Sequence, residues 1–518
     1  MHKLTQGLFL RALALIYLLA FASLSFQTRG LYSHNGITPI EITVRTFLER
    51  SYTDPYAAFI KIPSFFWFKQ SDLAINSLPY IGILLALILF TLPFVTRSRE
   101  RNYLEAFICF LLYLMYLSYV NLGNVFMNFQ WDILLLETGF WTILFCIFRN
   151  NIFASKAFTW IFRFLLFKLM FMSGLVKLAS GDPTWRDLTA LSYHYYTQPI
   201  PNPLSFLTHQ LPMWFHQFNC ALMFLVELIV PFFIFANSRF RLIAALLFTA
   251  LQVIIIATGN YCFFNLLSIA LCFWLVDDKY LEPYFPSNIQ AAFRDDVIED
   301  PQDLISQTIT NRLEKLSIAS STLKERIIKY LVLALSVFYI GTSSLFIFAN
   351  SPIDFSFQNK LKEISGKFLL ATHSYMLSSP YGLFAVMTTK RFEIIIQGLE
   401  TENGSWKDYE FFYKPGDTRR VPPQVAPYQP RLDWQMWFAV MSNYEQNPWL
   451  VNLAVRLLEG NKESIKLLEY NPFPAQPPKF IRAIVYEYKF NTLDSFNQSG
   501  EVWIREPKGL YLPPLSLR

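Results

Sequence analysis

Cysteine is scarce in this chain and poorly placed for chemistry. The five in 518 residues (Cys109, Cys146, Cys220, Cys262, Cys272) all fall in apolar runs, with no CxxC spacing and none beyond Cys272. This disfavours a disulfide scaffold, thioredoxin-like exchange and a cysteine-ligated zinc, and leaves small buried hydrophobes as their role. Catalytic signatures are missing too: GxSxG, HExxH, a P-loop and a GxGxxG following a strand are all absent. His194, His209 and His216 are the one histidine cluster, and their spacing matches no metal motif, so neither metal nor cofactor is expected. Charged residues make up only 16% of the chain and form no Lys/Arg patch, which argues against nucleic acid as a partner.

What the chain has instead is apolar length. Hydrophobic residues reach 53% and aromatics 18%. Apolar runs of spanning length occur near 8–26, 79–96, 104–120, 132–148, 158–178, 214–236, 240–258, 260–276 and 329–349. The first is too long for a signal-peptide core and is interrupted by Arg11, so it reads as an uncleaved membrane helix. The runs 240–258 and 260–276 meet at Gly259–Asn260, a tight hairpin. The expected fold is an α-helical polytopic membrane domain of about nine candidate spans, then a soluble α+β, β-rich C-terminal domain. Its divisions are 1–276 (multispanning), 277–328 (charged cytoplasmic connector), 329–349 (last membrane helix) and 351–518 (outer soluble domain).

Charge sets the expected orientation. Arg97, Arg99 and Arg101, then Arg149 and Lys156, then Arg239 and Arg241 mark loops that alternate with the cation-free stretch 121–131. The positive-inside rule makes those loops and the N-terminus cytoplasmic and places the loop 179–213 and the C-terminal domain outside. The segment Ser64–Phe68 (SFFWF), on the outer side, fits an interfacial patch against membrane lipids and core packing equally well. After residue 350, alternation in Arg391–Gly398, Lys407–Lys414, Phe480–Asn491 and Glu501–Arg505 predicts strands. Asp433–Tyr444 and Pro448–Gly460 predict helices, with Gly460 as C-cap.

Ionisable groups inside apolar runs each need a reason. Asp132 and Glu137 lie in NFQWDILLLETGF; Arg163, Lys168 and Lys177 share one run; Glu227 lies in FLVELIVPFF. Counting about 1.5 Å per residue matches Glu137 with Lys168, Glu227 with Arg163, and Asp132 with Lys177 in depth, as an intramembrane charge network. The loop that follows is rich in Asp182, Trp185, Arg186, Asp187, Tyr193, His194, Tyr195 and Gln198. Aromatics with arginine are typical of interface anchors. A foreign partner and the chain's own C-terminal domain both suit them.

The stretch SGLVKL followed by SGDPTWRDLTALSYHYYTQPIPNP resembles the signature of the lipase maturation factor family. PQVAPYQPRLDWQMWF, NPFP, IRAIVYEYKF and VWIREPKGLYLPP are similar to that family's C-terminal portion. Tyr428 stands where the resemblance leads one to expect histidine. The resemblance implies a non-enzymatic integral membrane protein that assists folding and assembly of secreted lipases. It implies the endoplasmic reticulum membrane in a eukaryote and the inner membrane in a bacterium. Asp182, Trp185, Arg186, Tyr193, His194, Tyr195 and Gln198 are then the candidates for client contact. A shorter similarity, of SGLVKL with Trp185 and of Glu227 before Pro231, is to the superfamily of the vitamin K-dependent carboxylase and the horizontally transferred transmembrane proteins. It implies a membrane enzyme with Lys177 as base. A deep cavity holding Lys177, Glu137 and Glu227 would favour that enzyme; a filled helical core would favour the maturation factor.

Overall fold

A computed structural model describes residues 3–50, 54–96, 101–294, 323–352 and 357–517. Part of the expected connector (295–322), and Arg97 and Arg99, lie outside the described residues. The long helices are α1 (Lys3–Ser25), α2 (Asp72–Val95), α3 (Arg101–Leu122), α4 (Gln130–Phe148) and α5 (Ile152–Ala179). A short α6 (Ala190–Thr197) precedes α7 (Met213–Phe224), α8 (Ser238–Thr258), α9 (Phe264–Cys272) and α10 (Leu323–Ala349). Among the described residues, seven helical segments are long and apolar enough to cross a membrane. Two of the nine expected spans are not among them. Phe264–Leu275 is too short, and α5 is not among the seven despite its 28 residues.

Helix α1 lies at the centre, with Leu10, Leu13, Tyr17 and Phe21 buried against α2 and α9. Its first turn leaves backbone N–H groups without intrahelical partners. The Asp278 carboxylate accepts from the N–H groups of Leu4 (3.1 Å) and Thr5 (3.0 Å). Close by in sequence, Arg11 converges with Arg101 and Arg149 on the buried Glu105, at 2.7, 3.9 and 2.7 Å. The SFFWF segment packs inward: Phe66 and Trp67 are buried, and the Ser118 hydroxyl accepts from the Phe65 N–H at 3.0 Å. Core packing thus accounts for Phe66 and Trp67, while Phe68 is exposed.

The C-terminal region contains β1 (Arg391–Leu399), β2 (Lys407–Asp408), β3 (Glu410–Phe411), β4 (Leu468–Tyr470), β5 (Phe480–Phe490) and β6 (Trp503–Leu515). Its antiparallel sheet has the order β2-β1-β5-β6, and β3 pairs with β4 apart from it. The single strand expected over Lys407–Lys414 is thus split between two sheets. Strand β1 alternates in sequence yet is buried along almost its whole length, because it is an inner strand covered by α11 (Arg431–Ala439). Helix α12 (Pro448–Leu458) ends, as expected, at Gly460, whose φ of +65° is the left-handed geometry that favours glycine.

Buried polar groups join this region to the helical one. Arg431 donates to both Asp132 oxygens at 2.9 and 3.0 Å, to the Phe126 carbonyl at 2.5 Å and to the Tyr116 hydroxyl at 3.0 Å. Asp132 therefore pairs with Arg431 and not with Lys177, which corrects the depth-based match. Asn260, just past α8, accepts from the N–H groups of Val425 (2.7 Å) and Ala426 (2.9 Å) and donates to the Pro201 and Pro423 carbonyls. Arg391 donates to the carbonyls of Tyr196, Gln198 and Pro199.

Removing one partner of a fully buried ion pair costs about 3–5 kcal/mol, whereas removing both is often much milder. Arg431→Met should therefore lower the melting temperature of the detergent-solubilised protein more than the double variant Asp132→Asn/Arg431→Met. Simple additivity of the two single changes would show that the pair is not coupled.

Candidate functional site

The end of α5 builds the site. SGLVKL brings Gly174 so close to the next helical segment that a Cβ there would lie 2.8 Å from the Leu228 side chain. That segment does not continue α7 regularly. It passes into a π-helical turn, Leu225–Ile229, and then a 3-10 stretch, Val230–Phe235. A π turn inserts one residue per turn and re-aims the side chains that follow, a device frequent at functional sites. Here it carries Glu227, which meets Lys177 at 2.7 Å. The Lys177 ammonium also donates to the Ser173 carbonyl at 2.9 Å and lies 5.4 Å from the centre of the Trp185 ring.

This pairing overturns the expected match of Glu227 with Arg163. Counting residues from the edge of each apolar run assumes that every helix starts at the same level. The first turns of α7 instead run about 20 Å past Lys177 along the helix axis. Arg163 donates to the Trp274 carbonyl at 2.8 Å and lies over the Trp160 ring. The match of Glu137 with Lys168 is present at 2.6 Å. Glu137 also accepts from the Tyr339 and Tyr381 hydroxyls, both at 2.7 Å, and from the Ser379 N–H at 3.0 Å. This second cluster is buried among α4, α5, α10 and residues 378–381.

The loop after α5 folds over the Lys177–Glu227 pair. Asp182 caps the turn Pro183–Arg186 by accepting from the Thr184 N–H at 2.8 Å, and its other oxygen accepts from the Met387 N–H at 2.6 Å. These bonds hold its carboxyl below the usual range against the opposing effect of desolvation. Trp185 is buried and donates to the Phe384 carbonyl at 3.0 Å. Gln198 donates to the Thr258 and Tyr195 carbonyls and accepts from the Tyr261 hydroxyl at 3.0 Å. A side chain on Gly259 would collide with the Gln198 amide oxygen. Tyr195 and Gln198 are buried, Tyr193 and His194 are partly buried by residue, and Arg186 is exposed.

Lys177, Glu227, Trp185, His194 and Tyr195 share one cavity of about 220 Å³. Asp182 and Gln198 brace its wall; Asp132, Glu137, Arg163 and Lys168 do not line it. Among its other polar groups, Tyr261, Gln252 and Asn265 are not singled out by the sequence. Tyr261 and Asn265 do sit in the stretch TGNYCFFNLLSIALC, whose polar residues within an apolar run are the available signal.

The state of His194 follows from its neighbours. The Gln198 amide is oriented by its two donor bonds, so the Tyr261 hydroxyl spends its proton on Gln198 Oε1. Its oxygen is then an acceptor for His194 Nε2, 3.0 Å away. His194 is thus the Nε2–H tautomer, with Nδ1 a bare acceptor that has no partner. Burial, aided by the Lys177 charge, pushes its pKa down to about 4. Between roughly pH 6.5 and 4 the unfolded chain binds a proton that folded His194 refuses, so stability falls as pH falls through that window. Asp433, pushed up to about 6 by burial, acts in the opposite sense, so a comparison of proteins isolates the histidine. The melting temperature of the natural chain should fall more between pH 7 and 5 than that of His194→Phe; parallel pH profiles would contradict the neutral assignment.

Comparison with known proteins agrees with this architecture. The model of the lipase maturation factor transmembrane domain matches residues 4–283, and that of the lipase maturation factor C-terminal domain matches residues 377–513. Lipase maturation factor 1 of Mus musculus is 35% identical over 99% of this chain and 87% of its own length. The Homo sapiens protein of the same name is 33% identical over 99% and 88%. Lipase maturation factor 2 of Xenopus laevis is 32% identical over 97% and 81%. No solved structure matches the chain. With both parts of the family's architecture present and its relatives aligned almost end to end, the chain is an integral membrane protein that belongs to the lipase maturation factor family.

Proposed function

We propose that this protein assists folding and assembly of secreted lipases from the membrane, with its C-terminal region presented to the client. The observation that carries this reading is the rigid seating of that region: Arg431, Asn260 and Arg391 fasten it to the helical bundle through buried groups. A client-facing surface held at a fixed height above the bilayer suits a factor that acts on chains entering the secretory route. The compartment is the endoplasmic reticulum in a eukaryotic host and the inner membrane in a bacterial one.

The orientation follows from charge. Arg11, Arg101 and Arg149 gather at one end of α3 and α4 around Glu105, while Tyr116, Asp132 and Arg431 meet at the other. We assign the arginine end and the N-terminus to the cytoplasm, and the C-terminal region to the lumenal or periplasmic side. Reporter fusions at residues 100 and 420 should then give opposite readouts; the same readout at both would refute the orientation.

For the client surface we favour the apolar groove between residues 383–388 and α11. It is lined by Trp437 and Pro199, and Val386, Phe438 and Met441 stand exposed beside it. Trp185, Tyr196 and Gln198 support this groove from beneath by holding residues 384–391, Tyr195 is buried beside them, and Arg186 is the exposed member of the loop. The catalytic reading of Lys177 has less behind it. A base needs a nitrogen free to take a proton from substrate, and this one is already engaged by Glu227 and the Ser173 carbonyl.

In cells whose own lipase maturation factor has been deleted, this chain should restore secreted lipase activity per mass of lipase. Phe438→Glu with Met441→Asp, at equal expression, should reduce that rescue severalfold, and Lys177→Arg should largely preserve it. No rescue by the natural chain would overturn the lipase role; rescue lost only with Lys177→Arg would redirect attention to the cavity.

A further inference from the structure

The cavity under the loop holds more than a structural ion pair. Leu222 of α7 and Ile254 of α8 line it, yet are 41% and 51% exposed. Both belong to segments long and apolar enough to span the bilayer. The cavity therefore opens sideways onto the surface that faces hydrocarbon, and whatever enters comes from the membrane.

Its polar end is unfinished. His194 Nδ1 is an acceptor without a partner. Asn265, 1% exposed on α9, donates to the Gln252 amide oxygen at 2.7 Å, and its own carbonyl oxygen is unpartnered. The Gln252 amide nitrogen in turn meets the Met170 sulfur, at 3.8 Å. Buried polar atoms in native proteins are nearly always satisfied, so such groups facing a cavity mark a place for a ligand or water. A hydroxyl suits the site because its one proton can go to an unpartnered acceptor while its oxygen accepts from the Gln252 amide, whose own contact is the distant sulfur. A phosphate or carboxylate does not: Lys177 is already neutralised by Glu227, and that carboxylate would repel a second anion. The volume of about 220 Å³ is small beside the usual 300–1,000 Å³ of ligand pockets, so it takes a head and the start of one chain.

We propose that this cavity binds an uncharged, hydroxyl-headed membrane lipid, its hydroxyl set among His194, Gln252 and Asn265 and its chain leaving between α7 and α8 into the bilayer. The site adjoins the proposed client groove across a wall formed by Tyr261, Leu383 and Phe384.

The test uses the full chain in phosphatidylcholine nanodiscs and a diazirine-bearing octadecanol as photoprobe. Labelling should map to peptides of α7 and α8. Oleyl alcohol should compete, while its methyl ether, which cannot donate, should compete about tenfold less well, the value of one hydrogen bond. Oleate should be a poor competitor for want of a free cation. Leu251→Trp, which fills the cavity, should abolish the labelling. His194→Phe and Asn265→Leu should weaken it and narrow the gap between alcohol and ether. The competitor series on the natural chain remains decisive if a variant fails to fold. Labelling unaffected by Leu251→Trp in folded protein, equal competition by alcohol and ether, or no specific labelling of α7 and α8 would each overturn the proposal, the last pointing to water alone.

Discussion

A charge placed among apolar helices must find its opposite, and much of this molecule is arranged to meet that requirement. Three acidic groups in the helical region have each acquired cations of their own: Glu105 three arginines, Glu137 one lysine, Glu227 another. Asp132 instead takes Arg431 from the C-terminal region. An unpaired charge in such a place is expensive enough to dictate packing. The union of the two regions is thus an electrostatic necessity as well as a hydrophobic contact.

The loop over α5 has a similar double duty. Its aromatic and polar residues close the polar end of a cavity on one side and grip residues 384–391 on the other. A loop that only joined two helices would need none of them. The cavity keeps its ion pair but leaves His194 and Asn265 with unspent bonding capacity, which sets it apart from the closed cluster around Glu137, where every carboxylate oxygen is engaged.

Much of this was legible in the residues. Apolar runs announced the helices because length and hydropathy are local properties, and β1, β5 and α12 were visible in their periodicity. Lys177, Glu227, Trp185 and His194 stood out because polar residues in or beside an apolar run demand an explanation, and they line one cavity. The partners were harder. Glu137 and Lys168 lie on helices that are consecutive in the chain, so counting residues sufficed. Glu227 and Lys177 defeated the count because α7 starts well beyond the end of α5 and changes its winding at Leu225. Arg431 was out of reach of any depth argument, since nothing local ties a residue of the C-terminal region to Asp132, 299 positions earlier. The division of Lys407–Lys414 between two sheets likewise depends on strands far away in sequence.

That separation gives the protein a clock. Asp132 enters the membrane region early in synthesis, and the guanidinium that neutralises it emerges only when four-fifths of the chain has been made. Until then the bundle carries an acidic group with its permanent partner still to come, and a chain cut short before residue 431 never receives it. Completion of the helical region is thereby tied to delivery of the C-terminal region to the same side of the membrane as Asp132. The molecule thus carries within its own charges a check that both halves have arrived.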